Sequence, residues 1–125
     1  MNNLKKTLIF SFLAVLSFSI LFIGKSFADE KYQLILIYAN WNVYSQKAIS
    51  VFEEVAETSN GKYSLKTIDI DDKSSFVRIN QLRLEPQPTI PCYYVLNKNN
   101  KTLYKSGYRN ENAEKIMSIL NSKTN

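Results

Sequence analysis

Few side chains in this sequence could act as nucleophiles, general bases or metal ligands. Among 125 residues there is one cysteine, Cys92, and no histidine. The absence of imidazole excludes Ser-His and Cys-His catalytic pairs and His-ligated zinc sites. A lone thiol excludes an internal disulfide and a C-x-x-C pair, although it can still react with a thiol of another molecule. Cys92 is therefore a candidate reactive thiol, and the alternative is a small buried residue at the start of a strand.

Three closely spaced carboxylates could suggest a cation site. Asp69, Asp71 and Asp72 lie within four positions. The run lacks the glycine turn and the distal glutamate of a calcium loop, which favours strand-end solvation and helix capping instead. The sequence therefore predicts no metal site, and we expect no cofactor.

The positive charge of the chain is concentrated at its start. Lys and Arg number 16 against 11 Asp and Glu, a formal net charge of +5. Three of the lysines precede the first acidic residue, Asp29, so residues 29–125 carry 13 basic and 11 acidic residues and form no basic stripe. This near balance argues against nucleic-acid binding. We expect a protein or peptide partner.

The first 28 residues have the pattern of a signal peptide. Residues 1–6 are short and positive, residues 7–23 are uncharged and mostly apolar, and Ser26-Phe27-Ala28 resembles a signal-peptidase site. We predict cleavage after Ala28 and a periplasmic or secreted domain at 29–125, by default in a bacterial periplasm. An uncleaved membrane anchor is the alternative, because the apolar run approaches the length that spans a bilayer. In both cases the domain is exported.

The rest of the chain alternates between strand and helix patterns. The predicted strands are 32–39, 63–70, 92–96 and 102–106, and the predicted helices are 45–58, 73–84 and a last one capped by Asn110. The first strand is a continuous apolar run, which is typical of a central strand covered on both faces. In the second helix, Phe76, Ile79 and Leu82 share one face.

Two local signatures in this order resemble the thioredoxin-like superfamily. One is the apolar run that ends in Tyr38-Ala39-Asn40-Trp41, and the other is Ile90-Pro91 followed by a strand and an Asn-rich turn. The resemblance implies an α/β fold of order β-α-β-α-β-β-α, with a mixed four-stranded sheet flanked by helices. It also implies a cis-proline, for which Pro91 fits the following strand better than the alternative, Pro88.

The sequence departs from that family at the redox motif. Where thioredoxins have C-x-x-C, it reads Asn42-Val43-Tyr44-Ser45. Neither Asn42 nor Ser45 can replace the attacking or the resolving thiol. Leu36 occupies the position of a carboxylate that many thioredoxins bury below the motif. We therefore expect no dithiol oxidoreductase activity. Asn42 and Ser45 could alternatively serve only to begin the helix, because both are good N-cap residues.

The resemblance implies a binding surface beside the cis-proline, where the backbone can pair with an extended peptide and aromatic residues form an apolar floor. The candidate binding residues are Trp41, Asn42, Tyr44, Ser45, Ile90 and Pro91. We expect a non-catalytic protein- or peptide-binding module of the cell envelope. Two alternatives stay open. One is a thiol-disulfide protein that uses Cys92 with a partner thiol, including a Cys92-linked dimer. The other is an assembly component of a secretion or conjugation apparatus.

Overall fold

The structure is a computed structural model that describes residues 31–125. The predicted signal peptide at 1–28, its cleavage site and the domain boundary at residue 29 lie outside the described residues. Within 31–125, no helix combines the length and the apolar character needed to cross a membrane.

The described part of the chain alternates strands and helices in the predicted order, β-α-β-α-β-β-α. The elements are β1 (Tyr32–Tyr38), α1 (Val43–Thr58), β2 (Tyr63–Asp69), α2 (Ser75–Gln81), β3 (Cys92–Leu96), β4 (Thr102–Gly107) and α3 (Ala113–Thr124). All four strand predictions are correct to within one residue at each end.

The strands form one mixed sheet in the order β2-β1-β3-β4. Strand β1 pairs in parallel with β2 and antiparallel with β3, and β3 pairs antiparallel with β4. The inner position of β1 explains its continuous apolar sequence, because its side chains meet a covering layer on both faces. The predicted α/β fold with a mixed four-stranded sheet is confirmed.

Two cores lie on opposite faces of the sheet, because successive strand residues point to opposite sides. Helices α1 and α3 cover the first face, whose buried side chains include Leu34, Leu36, Phe52, Val55, Tyr93, Val95, Ile116 and Leu120. Helix α2 lies against the second, whose core includes Ile35, Ile37, Ile68, Leu84, Cys92, Tyr94 and Leu96. On the first face the Phe52 ring packs 4.9 Å from the ring of Tyr93 and 6.0 Å from that of Tyr108, centroid to centroid.

Helix α2 is shorter than the sequence pattern predicts and begins at Ser75 instead of residue 73. Asp72 forms a tight turn before it, since its carboxylate accepts from the Ser74 N–H at 3.0 Å. The helix ends before Arg83, which has a left-handed φ of 53°. Of the three residues that share a face of this helix, Ile79 and Leu82 pack against the second core, whereas the Phe76 side chain is 69% exposed.

The N-cap of helix α3 lies two residues later than predicted. It is Asn112, whose side chain accepts from the Lys115 N–H at 2.9 Å. Asn110, the predicted cap, instead has a left-handed φ of 75°. An N-cap residue needs extended backbone angles, so Asn110 serves the preceding turn and leaves the capping role to Asn112.

Candidate functional site

The turn that joins β1 to α1 is the part of the fold where the C-x-x-C motif of thioredoxins would lie. The Asn42 N–H donates to the Ala39 carbonyl at 3.0 Å, and the Ala39 N–H donates to Ser45 Oγ at 3.1 Å. The neighbouring loop after β2 is held to the turn by Asn40 Nδ2, which donates to the Asp69 carboxylate at 3.2 Å. These contacts fix the entry of the chain into α1.

Asn42 makes two hydrogen bonds with the two ends of its carboxamide. Its Oδ1 accepts from the Tyr44 N–H at 2.9 Å, which caps α1. Its Nδ2 donates to the Ile90 carbonyl at 2.9 Å. Asn42 is therefore both the helix cap and a bridge to the loop before β3. Asn42 is thus the N-cap of α1, as one of the two interpretations expects, but it does more than begin the helix.

The same bridge brings together residues that are far apart in sequence. The Ile90–Pro91 peptide bond is cis, so Pro91 and not Pro88 is the cis-proline. Pro91 itself is buried, and its carbonyl accepts from the Tyr108 N–H at 2.9 Å. Ile90 stays partly accessible beside Asn42.

Ser45 is fully buried under the turn. Its hydroxyl oxygen accepts from a backbone N–H, so this residue satisfies a buried donor and holds the turn in place. Ser45 and Pro91 are thus buried beneath the predicted binding surface and are not accessible to a partner. The accessible members of the predicted set are Trp41 and Tyr44, with Asn42 and Ile90 partly accessible.

Large apolar side chains are exposed where α1 and α2 begin, at one edge of the sheet. Parallel strands β1 and β2 end at that edge, and each is followed by one of these helices. Trp41 is 68% exposed, Val43 87% and Tyr44 56%, and Phe76 and Val77 are also exposed. We call these five residues the apolar rim. Within residues 31–125, only Leu103 joins them as an exposed large apolar side chain.

Sequence reasoning missed three members of the rim. Val43 lies between Asn42 and Tyr44 but is not among the candidate binding residues, and the pattern of Phe76 indicates only a helix face shared with Ile79 and Leu82. Val77 follows Phe76 directly. The signal that identifies them is their position, because all three lie in the first helical turn after a strand that runs to the same sheet edge. Apolar residues there face solvent instead of the sheet.

Cys92 lies in the second core, on the face of the sheet opposite α1. It is 3% exposed and packs with apolar side chains of β1, β2 and β3. Burial raises the pKa of its thiol to about 11, and a hydrogen bond with Tyr94 offsets this only in part. A protonated, enclosed thiol is a poor nucleophile. This environment disfavours both the reactive-thiol interpretation and a Cys92-linked dimer.

The acidic run after β2 has structural roles in the turn. Asp69 Oδ1 accepts from the Asp71 N–H at 3.0 Å, and Asp72 accepts from the Ser74 N–H. The hydrogen bonds from Ser74 hold the pKa of Asp72 below its ordinary value. Across the part of the chain that the structure describes, no three Cys, Asp or Glu side chains are grouped so as to hold a metal ion.

Comparison with known sequences gives no match: no family model and no curated protein matches the chain. Solved structures do match. A chloroplastic thioredoxin z is 19% identical, with a TM-score of 0.57, over 84% of this chain and 88% of its own.

Two further thioredoxins match as closely in shape. Thioredoxin f2, solved in complex with ferredoxin:thioredoxin reductase, is 16% identical with a TM-score of 0.59, over 78% of this chain and 82% of its own. Thioredoxin-2 of the malaria parasite, described as a component of the parasite's protein secretion machinery, is 12% identical with a TM-score of 0.59, over 74% and 84%. At these identities the likeness concerns the fold. Its strand order, its flanking helices and these neighbours show that the chain has the thioredoxin-like fold.

Proposed function

We propose that this chain is an exported, redox-inactive thioredoxin-fold domain that binds a protein or peptide of the cell envelope through the apolar rim. One observation carries the proposal. Five large apolar side chains are exposed around the starts of the helices that follow β1 and β2, and the turn after β1 contains Asn42 and Ser45 where a thioredoxin has its two cysteines.

The exposure of the rim supports binding. A group of exposed large apolar residues is unfavourable in water and typically marks an interaction surface. Trp and Tyr, as at positions 41 and 44, are the residue types that most often dominate binding energy, because they combine apolar area with a polar tip. The carboxyl ends of parallel strands are also where α/β sheets commonly bind ligands. Thioredoxin f2, a neighbour in fold, was solved bound to a protein.

The chemistry of the chain argues against catalysis by thiol exchange. A dithiol mechanism needs an attacking thiolate and a second thiol that resolves the mixed disulfide. The chain has one thiol, and it is buried on the other face of the sheet with a raised pKa. Export rests on the signal-peptide pattern of residues 1–28.

A site-specific photocrosslinker tests this function in cells. Placed at Val43, the most exposed rim position, it is expected to give discrete crosslinked products in the cell envelope. The double variant Trp41→Ser/Tyr44→Ser should abolish those products. The matched control is Leu103→Ser, which removes an exposed apolar side chain from β4 and should leave them unchanged.

Fluorescence gives a direct readout once a crosslinked partner is identified. Trp41 is the single tryptophan of the chain and is exposed, so burial by a partner should shift its emission to shorter wavelength. Crosslinking that is unaffected by the double variant, or binding without a change in Trp41 emission, would contradict the proposal. Reduction of insulin disulfides by the wild-type protein would contradict its redox inactivity.

A further inference from the structure

The Ile90 carbonyl, at the margin of the rim, is already hydrogen-bonded within the chain. Its partner is Asn42 Nδ2, 48 positions away in sequence, at 2.9 Å. The opposite end of the same carboxamide is also held, because Oδ1 accepts from the Tyr44 N–H. With both polar ends engaged, this short side chain is fixed in place beside the Ile90 carbonyl.

The start of α1 does not require this double contact. One side-chain oxygen is enough for an N-cap, and Ser, Thr or Asp supply it as well as Asn does. Among these residues only Asn combines the cap oxygen with an amide donor that can reach a carbonyl. The second hydrogen bond is therefore a property of this residue choice and goes beyond the needs of the helix.

The hydrogen bond from Asn42 to the Ile90 carbonyl affects which kind of partner the rim can bind. An extended segment that adds to a loop or a strand edge binds by pairing its N–H groups with backbone carbonyls. The Ile90 carbonyl oxygen can accept two hydrogen bonds, and Asn42 Nδ2 already supplies one, so a partner N–H must share that oxygen with Asn42. Apolar contact with Trp41, Val43 and Tyr44 does not involve that oxygen.

We propose that Asn42 is the specificity-determining residue of the apolar rim. Its carboxamide already satisfies the Ile90 carbonyl with one hydrogen bond, so the rim selects partners by apolar side-chain contact and gains less from partners that pair through their main chain. This inference rests on the proposed function, because it takes the rim to be the binding surface. It adds the mode of recognition and the residue that sets it.

Peptide selection tests the role of Asn42. The wild-type protein and the variant Asn42→Ser, which keeps a cap oxygen but has no amide donor, are each used to select from a displayed library of random linear peptides. The best binders are then resynthesised with single N-methylated backbone amides. For Asn42→Ser, methylation of one amide should weaken binding about three- to tenfold, the worth of one hydrogen bond. For the wild type, every such change should stay below about twofold.

Two further variants separate specificity from folding. Asn42→Asp also keeps a cap oxygen and lacks a donor, so it should behave as Asn42→Ser does. Asn112→Ser makes the same exchange at the N-cap of α3 and should select peptides like those of the wild type. Circular dichroism should show all of these proteins folded.

The outcomes distinguish this inference from the proposed function. Wild-type peptides that lose affinity on N-methylation, or Asn42 variants that select no methylation-sensitive peptide, would overturn the role of Asn42. If the variants gain such peptides while the wild type selects none, the role of Asn42 is supported and peptide binding by the native rim is not. If wild type and variants select the same methylation-insensitive peptides, the rim binds and the role of Asn42 fails.

Discussion

At the scale of single residues, burial sets the chemistry of Cys92. The thiol lies among apolar side chains of the second core, where the charged thiolate is poorly solvated. The same residue type in an exposed turn next to a helix N-terminus would be reactive. Its surroundings, more than its being unpaired, therefore decide what this cysteine can do.

Alkylation kinetics test this directly. With a pKa of about 11 against an ordinary value of 9.0, the native thiol should react with iodoacetamide at pH 8 about a hundredfold more slowly than a free thiol. Protein unfolded in urea is the control and should react at the free-thiol rate. Rapid modification of the native protein would show that the thiol is accessible.

At the scale of elements, two helices begin with the same residue type in different settings. Asn42 caps α1 and also bridges to the loop before β3, whereas Asn112 caps α3 by accepting from the Lys115 N–H. The pair permits a comparison of capping with and without a long-range bridge.

Alanine substitution at the two N-caps measures how much the hydrogen bond from Asn42 to Ile90 contributes to stability. Asn112→Ala should lower the free energy of unfolding by about 1 kcal/mol through loss of the cap. Asn42→Ala should lower it by about 2 kcal/mol, since it also removes the hydrogen bond to Ile90. Urea denaturation of both variants gives these values. Equal losses at the two positions would mean that the bridge contributes nothing to stability.

The turn before α1 should also accept a redox motif. Asn42 and Ser45 are joined by a hydrogen bond from the Ser45 N–H to the Asn42 carbonyl at 3.2 Å, so their side chains leave the same turn. We expect the double variant Asn42→Cys/Ser45→Cys to form an intramolecular disulfide on oxidation. In the reduced form, the thiol at position 42 should have a pKa below its usual range, because it lies at a helix N-terminus.

Thiol counting before and after reduction measures this disulfide. The single variant Asn42→Cys is the control and should show no intramolecular bond. A double variant that keeps the thiols at positions 42 and 45 free under oxidising conditions would mean that the turn holds these two positions too far apart.

The sequence predicts the positions of the strands better than the exposure and contacts of the residues at the candidate site. Local sequence patterns predict β1, from its continuous apolar run, and the loop before β3, from its prolines. The exposure of Phe76 does not follow from its sequence pattern, because helical periodicity gives a face but does not say how many turns of the helix reach the sheet. The bridge from Asn42 to Ile90 joins positions 48 apart, and no local pattern reports such a contact.

At the scale of the whole molecule, the buried hydroxyls and the buried thiol make stability sensitive to alkaline pH. Burial raises the pKa of Cys92 to about 11 and that of Tyr94 to about 12, and it also raises the pKa values of Tyr93 and Tyr108. Each group keeps its proton more firmly in the folded chain than in the unfolded one. The unfolded state therefore binds fewer protons above pH 9, and stability falls as pH rises.

Chemical denaturation across pH shows the effect. The free energy of unfolding should be nearly level around pH 8 and fall from pH 9 to 12. Tyr94→Phe should make the decline above pH 10 shallower, by up to about one proton. At neutral pH this variant should lose about 1 kcal/mol, because Tyr94 donates to the Glu85 carbonyl. A flat profile up to pH 12 would contradict the raised pKa values.

The apolar rim also has a consequence for the protein as a solute. Residues 29–125 have a net charge of only +2, so electrostatic repulsion between molecules is weak. The exposed aromatic and aliphatic side chains of the rim then favour self-association of the protein. At the concentrations used for crystallisation or NMR, we expect reversible clustering that Trp41→Ser relieves. Light scattering would therefore detect the rim before any partner is known.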